Sequence, residues 1–239
     1  MTRSRETSLR GQLTKACCVA ALAIWAVKLL RVTRSVDGYR QYWAVPRGEP
    51  DGLLYVALGD SVAQGVGASQ PELGYVGLLA EHMRRRTGKP IEVLNLSRSG
   101  ATLQDLIRDQ LPRLAALKPD VVTVAIGGND ILHYDATEFA RDVCTLTDDL
   151  PAGTAIADVP YFMHGRWARD AADATRILAD CAQARGLVTV ELYEAMRARS
   201  VWAVATDFSA DWFHPDDRGH RVWADAFGSA LSSLPTFAA

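Results

Sequence analysis

The chain has 239 residues, of which 49% are hydrophobic and 23% charged, and its formal net charge is only -2. That composition excludes a disordered chain, and the near-neutral balance leaves no global basic field to draw the protein onto nucleic acid. One α/β domain absorbs this length, and no Pro/Ser/Gly-rich linker divides the chain after residue 50.

Residues 1–50 are expected to form an extension ahead of a single folded domain at 51–239. Arg3, Arg5, Arg10 and Lys15 precede an apolar run at 16–30 that Lys28 interrupts, which is the layout of a signal peptide or signal anchor. The run is shorter than the roughly 20 residues of a spanning helix. Ala21-Leu22-Ala23 lies inside it, where a cleavage site does not belong, and Arg31, Arg34 and Arg40 place basic residues on its far side as well. Membrane association or export through this segment is the expectation. A helix packed on the domain of a cytoplasmic protein is the alternative.

From residue 53 short β-rich apolar runs alternate with longer amphipathic stretches, the pattern of parallel strands with crossover helices. The strands are predicted at Leu53–Leu58, Ile91–Leu96, Val121–Ile126, Thr154–Val159 and Leu187–Leu192. Near-continuous apolar character in the first and third marks them as central. Helices are predicted at Gly74–Thr87, Thr102–Leu117, Thr137–Leu150, Trp167–Arg185 and Pro215–Ser232. The result is a three-layer α/β/α sandwich on a five-stranded parallel sheet, with ligands expected outside the carboxyl ends of the strands. Arg84, Arg85 and Arg86 fall at the end of a predicted helix, where cations complement the dipole.

The first strand ends in Gly59-Asp60-Ser61, which places a hydroxyl in a glycine-containing turn beside free backbone N–H groups. This is not the G-x-S-x-G elbow, because position 63 is alanine. The second strand runs into Ser97-Arg98-Ser99-Gly100, and the third into Gly127-Gly128-Asn129-Asp130. Gly100 offers a backbone N–H and Asn129 a side-chain amide, the donor types of an oxyanion hole. Near the C-terminus Asp211 precedes His214 by three residues on one short loop. At that spacing a carboxylate can hold an imidazole in the tautomer whose other nitrogen faces a serine. Pro215 suits the first position of the following helix, with Asp216 and Asp217 in its first turn.

Taken in order, Gly59-Asp60-Ser61, Gly100, Gly127 to Asp130 and Asp211 to His214 resemble the four blocks of the SGNH (GDSL-type) hydrolase family. The resemblance spans roughly residues 53–230, and four short motifs in the right order are far more specific than any one of them. It implies a flavodoxin-like sheet and metal-free, cofactor-free hydrolysis of small esters or other acyl substrates. It also implies Ser61 as nucleophile, His214 as general base and acid, Asp211 as its orienting carboxylate, and an oxyanion hole from Ser61, Gly100 and Asn129.

Of the remaining chemistry-bearing residues, His82 and His220 lie on predicted helices as surface or packing groups, while His133 and His164 follow strands near the expected cleft. Trp43, Trp167 and Trp202 are expected to pack rather than to serve as substrate platforms, and Trp212 is the exception because it lies between the two candidate residues Asp211 and His214. Cys144 and Cys181, on separate helices, leave free thiols and a disulfide both open, and no cysteine has metal-type spacing. Two rivals stand beside the esterase. Gly59-Asp60 and Gly128-Asn129-Asp130 superficially match metallophosphoesterase ligand blocks, but the Asp and His pair such a site needs upstream of Gly59 is missing. A catalytically silent binding module on the same fold is the other.

Overall fold

The computed structural model describes residues 23, 26, 27, 29, 30, 32–163, 165–200, 202, 206–234 and 237. Most of the apolar run at 16–30 and His164 lie outside the described residues. No helix among the described residues is long and apolar enough to cross a membrane.

The strands are β1 (Arg47–Gly48), β2 (Leu53–Gly59), β3 (Ile91–Asn95), β4 (Val121–Ala125), β5 (Ala155–Ala157) and β6 (Val188–Val190), in the sheet order β1-β3-β2-β4-β5-β6. The last five are the predicted strands, parallel and in the flavodoxin-like order. The expectation of five strands is corrected to six. The addition is two residues long and antiparallel, with Arg47 opposite Val93 and Gly48 opposite Glu92. So short an edge strand shows no periodicity, which is why pattern reading passes over it.

Alternation along β2 assigns its side chains to two cores. Tyr55 and Ala57 join Leu79 of α1 (Tyr75–Thr87) and Phe227 of α7 (Asp217–Leu231) on one face. Val56 and Leu58 join residues of α2 (Leu103–Asp109), α3 (Leu111–Ala115), α4 (Ala136–Asp149) and α5 (Gly165–Ala184) on the other. Tyr75 stacks on Phe227 with ring centroids 5.0 Å apart, locking α1 to α7. Cys144 of α4 and Cys181 of α5 are half-buried free thiols.

The helix predicted at Thr102–Leu117 is two helices. Pro112 lacks the N–H that would continue the ladder, and the break at Gln110 frees its side chain for a role described below. The final helix also begins later than expected. Pro215 instead bridges Phe208, and Asp216 is the N-cap, accepting from the N–H groups of Arg218 and Gly219. The end of the run predicted at Leu187–Leu192 turns into the short helix α6 (Leu192–Arg197).

Residues 32–42 are helical, and the end of that helix is fastened to the domain. The Tyr39 hydroxyl donates to the Ala68 carbonyl at 2.7 Å, and the Trp43 indole N–H donates to the Gln64 carbonyl at 3.0 Å. Both acceptors lie on the loop that carries Ser61. The burial of Tyr39 and Trp43 thus makes the segment ahead of residue 50 part of the packing around that loop.

Candidate active site

The chain reverses its direction of winding at β2, which lies between β3 and β4, and the residues after these three strands meet there. Gly59 closes β2 at φ +147, where a Cβ would lie 2.2 Å from the Ala125 carbonyl oxygen. Only glycine lets β2 and β4 run this closely together at their ends. The Gln110 side chain clamps the same residue, accepting from the Gly59 N–H at 2.9 Å and donating to its carbonyl at 2.8 Å.

The serine loop is sewn to its neighbours by buried amides. Asn95 donates to the Ala63 carbonyl at 2.7 Å, and Gln64 donates to the Ser97 carbonyl at 3.0 Å while accepting from Ser99. Gly67 lets the loop reach the histidine segment: at φ +98 its Cβ would meet the Pro215 oxygen at 2.2 Å and the His214 Cβ at 2.9 Å.

These constraints bring Ser61, His214 and Asp211 into one line. His214 Nε2 lies 2.8 Å from Ser61 Oγ, and Nδ1 lies 2.6 Å from Asp211 Oδ2. The other carboxylate oxygen of Asp211 accepts from the N–H groups of Phe213 and His214, each at 3.0 Å, and from the Ser209 hydroxyl at 2.7 Å. Trp212 permits this fold-back by taking a left-handed φ of +56, at a cost of about 1–2 kcal/mol for a residue with a Cβ. Burial pushes the Asp211 carboxyl up, but the hydrogen bonds and the adjacent imidazole outweigh it and hold the group well below the usual carboxylate range. An ionised carboxylate only accepts, so Nδ1 carries the imidazole proton and the Nε2 lone pair faces the serine hydroxyl.

Among the described residues, no protein group accepts from the backbone N–H of Ser61 or Gly100. Asn129 Nδ2 donates to the Ala101 carbonyl at 2.9 Å and makes a long 3.4 Å contact with Asp60 Oδ2. The first contact fixes which end of the amide is the donor. Asp130 is turned away from this group and accepts from the Leu103 N–H at the start of α2.

Asp60 and Asp158 also line the site; the sequence singled out Asp60 only as a member of its block, with no role of its own for an esterase, and Asp158 not at all. Asp60 Oδ1 accepts from the Val62 N–H at 2.9 Å, bracing the turn around Ser61, and burial pushes its carboxyl up to about 6. Asp158, after β5, accepts from the Tyr193 N–H at 2.7 Å, and burial pushes it up to about 7. A carboxyl that binds its proton more tightly when folded supplies stability that is complete below its unfolded pKa, near 3.9, and disappears as pH rises through its folded value. Asp158→Asn, which keeps an acceptor and has no charge to bury, should therefore gain on the wild type by about 1–3 kcal/mol between pH 5 and 8. Chemical denaturation at both pH values measures the gap, and a gap that shrinks contradicts the assignment.

The other histidines separate by surroundings. His220 is fully buried, and its Nδ1 accepts from the Tyr75 N–H while Nε2 donates to the Val66 carbonyl. Burial pushes its pKa down to about 4, so it is a neutral packing group. His133 is exposed and lines a small cleft of about 190 Å³ beside Asn129. Trp43 is buried as expected, but Trp167 and Trp202 are exposed, and so is Trp212.

The sequence pattern of the GDSL-like Lipase/Acylhydrolase family matches residues 57–222. The chain belongs to that family, and it is a carboxylic ester hydrolase. Solved structures share its fold. TesA is 21% identical with a TM-score of 0.64, over 74% of this chain and 97% of that one. LAE5, described as an alpha/beta hydrolase enzyme from the metagenome of Lake Arreo, Spain, is 24% identical with a TM-score of 0.61, over 76% and 95%. Axe2, an acetylxylan esterase from Geobacillus stearothermophilus, is 22% identical with a TM-score of 0.58, over 77% and 95%. No match was found among curated proteins.

Proposed function

We infer that this hydrolase cleaves carboxylic esters through an acyl-enzyme on Ser61. The observation that carries the reading is the hydrogen-bonded line from Asp211 through His214 to Ser61, at 2.6 and 2.8 Å. In the first step Ser61 Oγ attacks the carbonyl carbon while its proton passes to His214 Nε2, and Asp211 stabilises the imidazolium. His214 then returns the proton to the departing alcohol. In the second step a water gives its proton to His214 and attacks the acyl carbon. Ser61 leaves with that proton, and the acid is released. The Ser61 and Gly100 N–H groups and the Asn129 amide serve the oxyanion of both tetrahedral intermediates. The basic start and apolar run at 16–30 support a targeting role for the extension, apart from the chemistry.

Asn129 separates a working oxyanion hole from an incidental turn. Its second amide proton, held only by the 3.4 Å contact with Asp60, meets full negative charge only when the carbonyl becomes tetrahedral. Asn129→Ala should lower kcat by ~10²- to 10³-fold with little change in KM. Steady-state kinetics on p-nitrophenyl butyrate, with p-nitrophenyl phosphate as the rival substrate, tests the whole reading. Near-normal kcat in folded Asn129→Ala removes the residue from the oxyanion hole, and turnover of the phosphate ester alone defeats the esterase mechanism.

A further inference from the structure

Beside the triad lies a cavity of about 750 Å³, within the size range of small-molecule sites. Asp60 and Val62 flank Ser61, Gly128 precedes Asn129, and Asp211 belongs to the histidine loop; all four line the cavity. It therefore adjoins the reacting groups. Most of the rest of its wall is apolar, formed among others by Ile126, Tyr161, Phe162, Phe208, Phe213 and Trp223. Of its polar groups, Asp60 and Asp158 each turn one oxygen to a backbone N–H, and the exposed Arg166 donates to the Leu132 carbonyl at 3.1 Å. Three large side chains that line the same cavity stay open to solvent, Met163 at 37%, Trp167 at 45% and Trp212 at 62% exposure. Together they continue its apolar surface outward.

Resting on the Ser61 reading, we propose that this cavity is the acyl site and that the preferred substrates carry a medium-length or long aliphatic acyl chain rather than acetyl. An acetyl group would leave most of the volume empty or filled with water that has few partners there. The two-step reaction distinguishes the acyl from the alcohol part. The alcohol must leave and a water must take its place beside His214 Nε2, so the alcohol side has to be wet. The acyl group stays attached through both steps, and an apolar cavity suits it. Each methylene drawn from water into such walls should raise kcat/KM about two- to fourfold.

Two ester series below their aggregation concentrations test this: p-nitrophenyl acetate through decanoate, in which the acyl chain grows, and ethyl through octyl acetate, in which the alcohol grows. kcat/KM should climb in the first series at least to octanoate and stay nearly level in the second. Leu132→Trp, which adds bulk at the cavity wall, should lower the octanoate-to-acetate ratio at least about tenfold. An equilibrium readout independent of that variant is tryptophan emission of Ser61→Ala, which Trp212 and Trp223 report from the cavity. Decanoate should change it at lower concentration than butyrate does. A level or falling first series, with acetate turnover still abolished by Ser61→Ala, overturns the acyl site and leaves the nucleophile standing. A rise in the second series alone assigns the cavity to the alcohol and also overturns it. Tight decanoate binding without turnover of any ester supports the cavity's preference and counts against the Ser61 reading instead.

Discussion

Replacing Ser61 with alanine should abolish ester hydrolysis while leaving the fold intact. The hydroxyl oxygen is the only heavy atom lost, and its hydrogen bond is to His214. The loop around it is held by Asp60, Gln64 and Asn95, none of which depends on that oxygen. Removal of a serine nucleophile that works with a histidine costs on the order of 10⁶ in kcat in the best-measured protease, and the oxyanion donors retain a small residual activity. A loss of at least ~10⁴-fold is expected here. Kinetics on a short-chain p-nitrophenyl ester, corrected for spontaneous hydrolysis, measures it, with circular dichroism confirming the fold. Substantial turnover by the folded variant would end the covalent mechanism.

The second large effect is expected from Asp211→Asn. One oxygen of Asp211 receives the N–H groups of Phe213 and His214 and the Ser209 hydroxyl, so the amide oxygen of asparagine must take that place. Its NH₂ group then faces His214 Nδ1, where a donor now stands in place of an acceptor. The ring answers by carrying its proton on Nε2, so it donates to Ser61 Oγ and has no lone pair for the serine proton. The same change of tautomer in a serine protease lowers kcat about 10⁴-fold with the geometry kept. A loss of ~10³- to 10⁴-fold in kcat is expected, recovering in part at high pH where the serine is more easily deprotonated. A variant as active as the wild type would remove Asp211 from the mechanism.

The extent to which the sequence foretold this structure follows from how far each feature reaches along the chain. The parallel strands were legible because each is a short apolar run, and Ser61, Gly100 and Asn129 because each follows a strand end where a parallel sheet gathers its loops. Asp211 and His214 were legible as a pair three residues apart. The clamp by Gln110 was not, since it depends on a helix break at Pro112 and acts on a glycine fifty-one positions away. Gly67 looks like an ordinary turn glycine until the Pro215 carbonyl is found against its α-carbon. The cavity was hidden for the same reason. Its walls come from stretches between Asp60 and Trp223 whose apolar residues, read singly, look like core. Tyr39 and Trp43 fell in a stretch assigned to an extension by its charge and apolar run, and their burial and hydrogen bonds to the serine loop tie them to the domain.

The most direct measurement is covalent capture of the nucleophile by an alkyl fluorophosphonate, followed by intact mass and peptide mapping. The phosphorus takes the place of the acyl carbon, and reaction with serine expels fluoride and leaves a stable adduct that mimics the tetrahedral intermediate. One adduct per chain, confined to Ser61, formed in step with loss of esterase activity and greatly slowed in His214→Ala, is the predicted result. An enzyme that keeps full activity after saturating exposure to the reagent, or one inactivated by an adduct on another residue while Ser61 stays unmodified, would contradict the acyl-enzyme account.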